Sequence, residues 1–62
     1  MTLKECKNNI GRKVTYIPFK GCNPKFHEEG VITSTNNKNV FVRYGSDINS
    51  KATNPEDLIL WK

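Results

Sequence analysis

Apolar and polar positions alternate in short runs along most of this chain. In "RKVTYIPF", Val14, Tyr16 and Pro18 fall on one side, and Thr15, Ile17 and Phe19 on the other. In "NVFVRY", Val40, Val42 and Tyr44 oppose Phe41 and Arg43. A period of two predicts strands, because successive side chains of an extended backbone point to opposite faces. "GVITST" supplies a strand between these two, "KAT" a short fourth and "LILW" a last one. Pro18 has no N–H to give to a ladder, so it marks an edge or the start of a loop.

Polar segments separate these runs, and each carries a reason to turn. "NNKN" is a tight connection, since asparagine tolerates left-handed backbone angles. "NPEDL" predicts one helical turn. Asn54 caps it, Pro55 opens it, and Glu56 and Asp57 suit the positive end of its dipole. "KGCNPKFHEE" is a loop in which Asn23-Pro24 starts a second capped turn and Phe26 folds back as the hydrophobic anchor. "GSDINS" is a further loop.

Only the first ten residues depart from the alternation. Thr2 followed three residues later by Glu5 is a capping-box pattern, and Leu3, Cys6 and Ile10 share a helical face, with Gly11 as the stop. A helix this short does not hold in water by itself and must dock on the rest. Short strands, polar turns and one helical turn before the last strand together predict a mostly all-β fold. The expected form is a small five-stranded SH3-like barrel over 12–61 with a short N-terminal helix over 1–10, all in one domain. Closure into a barrel lets so few residues enclose a core.

The segments "IGRKVTYIPFKGC", "EEGVITS", "VFVRYGSDINSKAT" and "NPEDLIL" resemble a family of small phage and prophage proteins similar to SH3-like, Tudor-like or KOW-like barrels. The resemblance spans roughly residues 10 to 60, with "VTYIPF" and "VRYGSD" as its most distinctive parts. It implies the fold and a phage origin, hence action in the host cytoplasm. It supplies neither a ligand nor catalytic residues.

Length and composition narrow the picture further. A chain of 62 residues buries only about 60% of the surface its unfolded form exposes, so the core is small. Two cysteines are too few for a disulfide framework, and no apolar run reaches the length of a signal peptide core or a membrane span. An intracellular soluble protein with reduced thiols is expected. Ten Lys and Arg against six Asp and Glu give a net charge of +4, which favours approach to polyanions.

The candidate chemistry lies mostly in residues 14 to 31. Cys22 and His27 are five apart, with Cys6 as a conceivable third ligand, but the paired short spacings of a zinc site are missing. A Cys22–His27 nucleophile would need a walled pocket that so small a chain has little material to build. No catalytic residue, metal or cofactor is expected. Glu28 and Glu29 are adjacent and point to opposite faces of a strand, so they do not form an acid–base pair. What remains is a basic and aromatic surface. Arg43, Tyr44, Lys20 and Lys25, with Tyr16 or Phe19 as a stacking plane, suit a nucleic acid or a nucleotide. The alternatives are docking on a host or phage protein, and a homo-oligomeric counter-defence sponge for a nucleotide signal.

Overall fold

The computed structural model describes residues 1–19 and 21–61. Among these, one α-helix, five strands and two single-turn 3-10 helices follow one another. They are α1 (Leu3–Lys7), β1 (Lys13–Tyr16), the turn Pro24–Phe26, β2 (Glu28–Thr35), β3 (Val40–Tyr44), β4 (Lys51–Thr53), the turn Pro55–Asp57 and β5 (Leu58–Leu60). All strands pair antiparallel in one sheet of order β4-β3-β2-β1-β5. Strands β1 to β4 form a meander, and β5 returns beside β1 after a 3-10 turn, which is the SH3-like arrangement expected from the sequence. Strands β4 and β5 share no ladder among the described residues. The sheet curls around its core without a closing row of hydrogen bonds.

The core is what the alternation selects. Val14, Ile32, Val40, Val42, Tyr44 and Leu58 are buried on the inner face, and Cys6 reaches them from α1. Met1, Leu3, Tyr16 and Leu60 pack around this cluster. The N-terminal segment therefore covers part of the sheet, and the Met1 amino group donates to the Pro55 and Leu58 carbonyls at 3.0 and 2.9 Å. Helix α1 starts as its capping box requires: Glu5 N–H donates to Thr2 Oγ1 at 3.1 Å, and Thr2 N–H donates to Glu5 Oε1 at 2.9 Å.

The ladder between β2 and β3 changes register between Ile32 and Ser34. Ile32 lies opposite Val42, but Ser34 lies opposite Phe41, so Thr33 is the extra residue of a bulge. The Thr33 hydroxyl donates to the Phe41 carbonyl at 3.0 Å, across the bulge. Bulges bend the strand that carries them, and this one lets β2 serve both halves of the curled sheet.

Three local expectations need correction. Helix α1 ends at Lys7 with Asn8 as its cap, so Ile10 lies outside the helix and is 51% exposed. The reason is the pull of β2: Gly11 N–H donates to the Ile32 carbonyl at 2.7 Å, and Gly11 takes a φ of 90° that stops the helix from continuing. Phe26 is not an anchor. It is 54% exposed under the Lys25 ammonium, while Cys22 is the buried residue of that loop. Strand β1 stops at Tyr16, two residues before Pro18, and Ile17 N–H turns to the Asp57 carbonyl at 2.8 Å. No helix among the described residues is long and apolar enough to cross a membrane.

Candidate functional site

The outer face of the sheet follows from the same alternation that builds the core. With Val14 turned inward, Lys13 and Thr15 turn outward. With Leu58 and Leu60 turned inward, Ile59 and Trp61 turn outward. The ladders then place Lys13 opposite Val31, Val31 opposite Arg43, and Thr15 between Glu29 and Ile59. Trp61 follows β5 and keeps to its path, because its backbone N–H donates to the Lys13 carbonyl at 3.0 Å. On this face seven residues line a shallow depression of about 180 Å³: Lys13, Glu29, Val31, Arg43 and Trp61, with the backbone of Gly30 and Gly45.

The indole is held in place within it. Trp61 Nε1 donates to Thr15 Oγ1 at 2.7 Å, and the Lys13 ammonium lies 5.5 Å from the ring centroid. A cation over an indole face is attracted by the ring quadrupole, by about 0.5–1 kcal/mol at an exposed site. Trp61 is still 37% exposed. Among the described residues the one ion pair is Lys51–Asp47 at 3.8 Å, an exposed contact of little energetic weight. Lys13, Arg43 and Glu29 thus face the depression with no salt-bridge partner among those residues.

The six residues singled out in the sequence do not form one surface. Arg43 lies on the outer face, in the depression. Tyr44, next to it on β3, necessarily points the other way and is 8% exposed in the core. Its hydroxyl shares a 2.7 Å hydrogen bond with Thr53 Oγ1, and burial pushes its pKa up. Tyr16 is half-buried beside it, with ring centroids 5.9 Å apart in an edge-to-face contact. These two rings line a second depression with Glu28, Lys51 and Thr53. Phe19 and Lys25 are exposed on the loop between β1 and β2, and Lys20 lies outside the described residues.

The outer depression thus keeps Arg43 and replaces the other five with Lys13, Trp61 and Glu29. The signal for Trp61 was in "LILW", whose alternation sets Ile59 and Trp61 apart from Leu58 and Leu60. Glu28 and Glu29 do face opposite sides: Glu28 meets the tyrosines and Glu29 the Trp61 depression.

Cys6 and Cys22 are free and buried, and burial raises the Cys6 pKa. That is the reverse of what an activated thiolate needs. Among the described residues no group of three or more His, Cys, Asp and Glu side chains is arranged to hold a metal ion. No family model, curated protein or solved structure matches the chain.

Proposed function

We propose that the chain is a non-enzymatic binding module that takes a nucleic acid or a nucleotide on the outer face of its sheet. One observation carries this reading: an indole, an ammonium and a guanidinium, from Trp61, Lys13 and Arg43, line one open depression. A base stacked on an aromatic plane contributes about 1–3 kcal/mol, and every base has a face to offer. The cations meet the phosphate, and the net charge of +4 assists the approach. The resemblance of residues 10 to 60 to phage barrels adds that the module is phage-encoded and acts in the host cytoplasm.

Salt dependence tests this. If Lys13 and Arg43 each neutralise one phosphate, log affinity for a single strand falls with log salt at a slope of about −1.4. Between about 50 and 200 mM salt that is a loss of roughly sevenfold, readable from the fluorescence anisotropy of a labelled mixed-sequence oligonucleotide. Arg43→Ala should halve the slope. Binding that ignores salt would exclude phosphate contacts.

A second reading has its own support. Phe19, Phe26 and Ile48 are exposed on the β1–β2 and β3–β4 loops, Ile48 at 92%. Exposed apolar loop tips suit docking on a host or phage protein. Capture from lysate that survives nuclease treatment would favour this role.

A further inference from the structure

The outer depression holds a carboxylate as well as two cations. Glu29 lies across the β1–β2 ladder from Thr15, and the Thr15 hydroxyl accepts the Trp61 indole N–H. One residue therefore stands between the aromatic plane and the carboxylate. On a surface that met only phosphates, Glu29 would oppose binding. An ionised carboxylate accepts hydrogen bonds and donates none, so its complement is a ligand edge made of donors.

Among the common bases, guanine has two adjacent donors, N1–H and the N2 amino group, spaced for the two oxygens of one carboxylate. Adenine and cytosine offer one amino group beside a bare ring nitrogen, and uracil places N3–H between two carbonyl oxygens that a carboxylate repels. We propose that the depression selects guanine. The base stacks on Trp61, its N1–H and N2–H donate to Glu29, and its phosphate takes Lys13 and Arg43. The Lys13 ammonium, 5.5 Å from the indole centroid in the free protein, yields that face to the base and turns to the phosphate. This deepens the nucleotide-binding reading and rests on it. The guanine is supplied either by a free nucleotide or by a single strand, since a duplex hides the N1–N2 edge.

Trp61 is the one tryptophan of the chain, so its fluorescence reports the site directly. The full chain is titrated with GMP, IMP, AMP and UMP, and with single strands that contain or lack guanine. GMP should quench at the lowest concentration. IMP, which lacks the N2 amino group but keeps N1–H, should bind at least about tenfold more weakly, the size of one hydrogen bond to a charged group. Glu29→Gln should bring GMP to the level of AMP while leaving thermal unfolding unchanged. Guanine-containing strands that bind more tightly than GMP assign the strand as the source, and the reverse assigns the free nucleotide. Equal quenching by all four nucleotides, unaffected by Glu29→Gln, overturns guanine selection and leaves the stacking site standing. No quenching by any nucleotide or strand overturns both.

Discussion

Gly30 is the point at which the curled sheet is least tolerant. It pairs with Val14 on one side and Tyr44 on the other, and it is buried. A Cβ at this position would lie 2.6 Å from Val42 Cγ1, 2.8 Å from the Arg43 carbonyl oxygen and 3.0 Å from Tyr44 Cδ1. Val42 is itself fully buried, and a carbonyl oxygen has no rotamer to escape into, so Gly30→Ala must push β2 and β3 apart in the middle of their ladder. Overpacking costs typically about 1–3 kcal/mol, and the backbone clash puts this substitution at the top of that range. At roughly 0.05–0.15 kcal/mol per residue, a chain of this length has a total stability of about 3–9 kcal/mol. Gly30→Ala therefore removes between a third and all of it. With an unfolding entropy of about 2.1 cal/mol/K per residue, a loss of about 3 kcal/mol lowers Tm by about 20 °C. The assay is thermal unfolding followed by circular dichroism. Val42→Ala should cost less in the Gly30→Ala chain than in the parent, because there it also removes the 2.6 Å contact, though not the clash with the Arg43 carbonyl. A Gly30→Ala chain that melts within a few degrees of the parent would mean that β2 and β3 do not pair in this register.

Two further substitutions probe the frame around the site. Tyr44→Phe removes a buried hydroxyl bonded to Thr53 at 2.7 Å and leaves Thr53 Oγ1 with only its 3.3 Å bond to the Lys51 carbonyl. Urea unfolding should show a loss of about 1–2 kcal/mol, and an unchanged midpoint would place the hydroxyl outside the core. Glu5 has its carboxyl held below the ordinary value of 4.5 by the Thr2 backbone N–H first and the Thr2 hydroxyl second. A depressed folded pKa gives stability that is present above the ordinary value and lost as pH falls through the folded one. The acid limb of the stability profile, below about pH 4.5, should therefore be steeper in the parent than in Glu5→Gln, and identical limbs would count against the capping box.

The features legible in the sequence were those held by local bonds. Thr2, Asn23 and Asn54 each accept a backbone N–H two or three residues ahead, and such contacts need nothing from the rest of the chain. Ile10 and Phe26 failed because an apolar residue at the right spacing still needs a partner across space. Here Gly11 is drawn to β2, and Cys22 takes the buried place in the loop. The candidate site failed in a different way. The alternation of β3 already separated Arg43 from Tyr44, but the neighbours of Arg43 depend on cross-strand register. The Thr33 bulge shifts that register within the β2–β3 ladder, and nothing in "GVITST" announces it. Lys13, Arg43 and Trp61 come together only once three ladders are aligned.

Amide chemical-shift mapping addresses the binding face most directly. A single-stranded, guanine-containing oligonucleotide is added to isotope-labelled protein, and the displaced resonances are placed on the fold. Shifts should concentrate on Lys13, Glu29, Val31, Arg43, Gly45 and the Trp61 indole N–H. Shifts confined to Tyr16, Phe19, Phe26 and Ile48, with the Trp61 indole unmoved, would put the ligand elsewhere and contradict the assignment of the outer face.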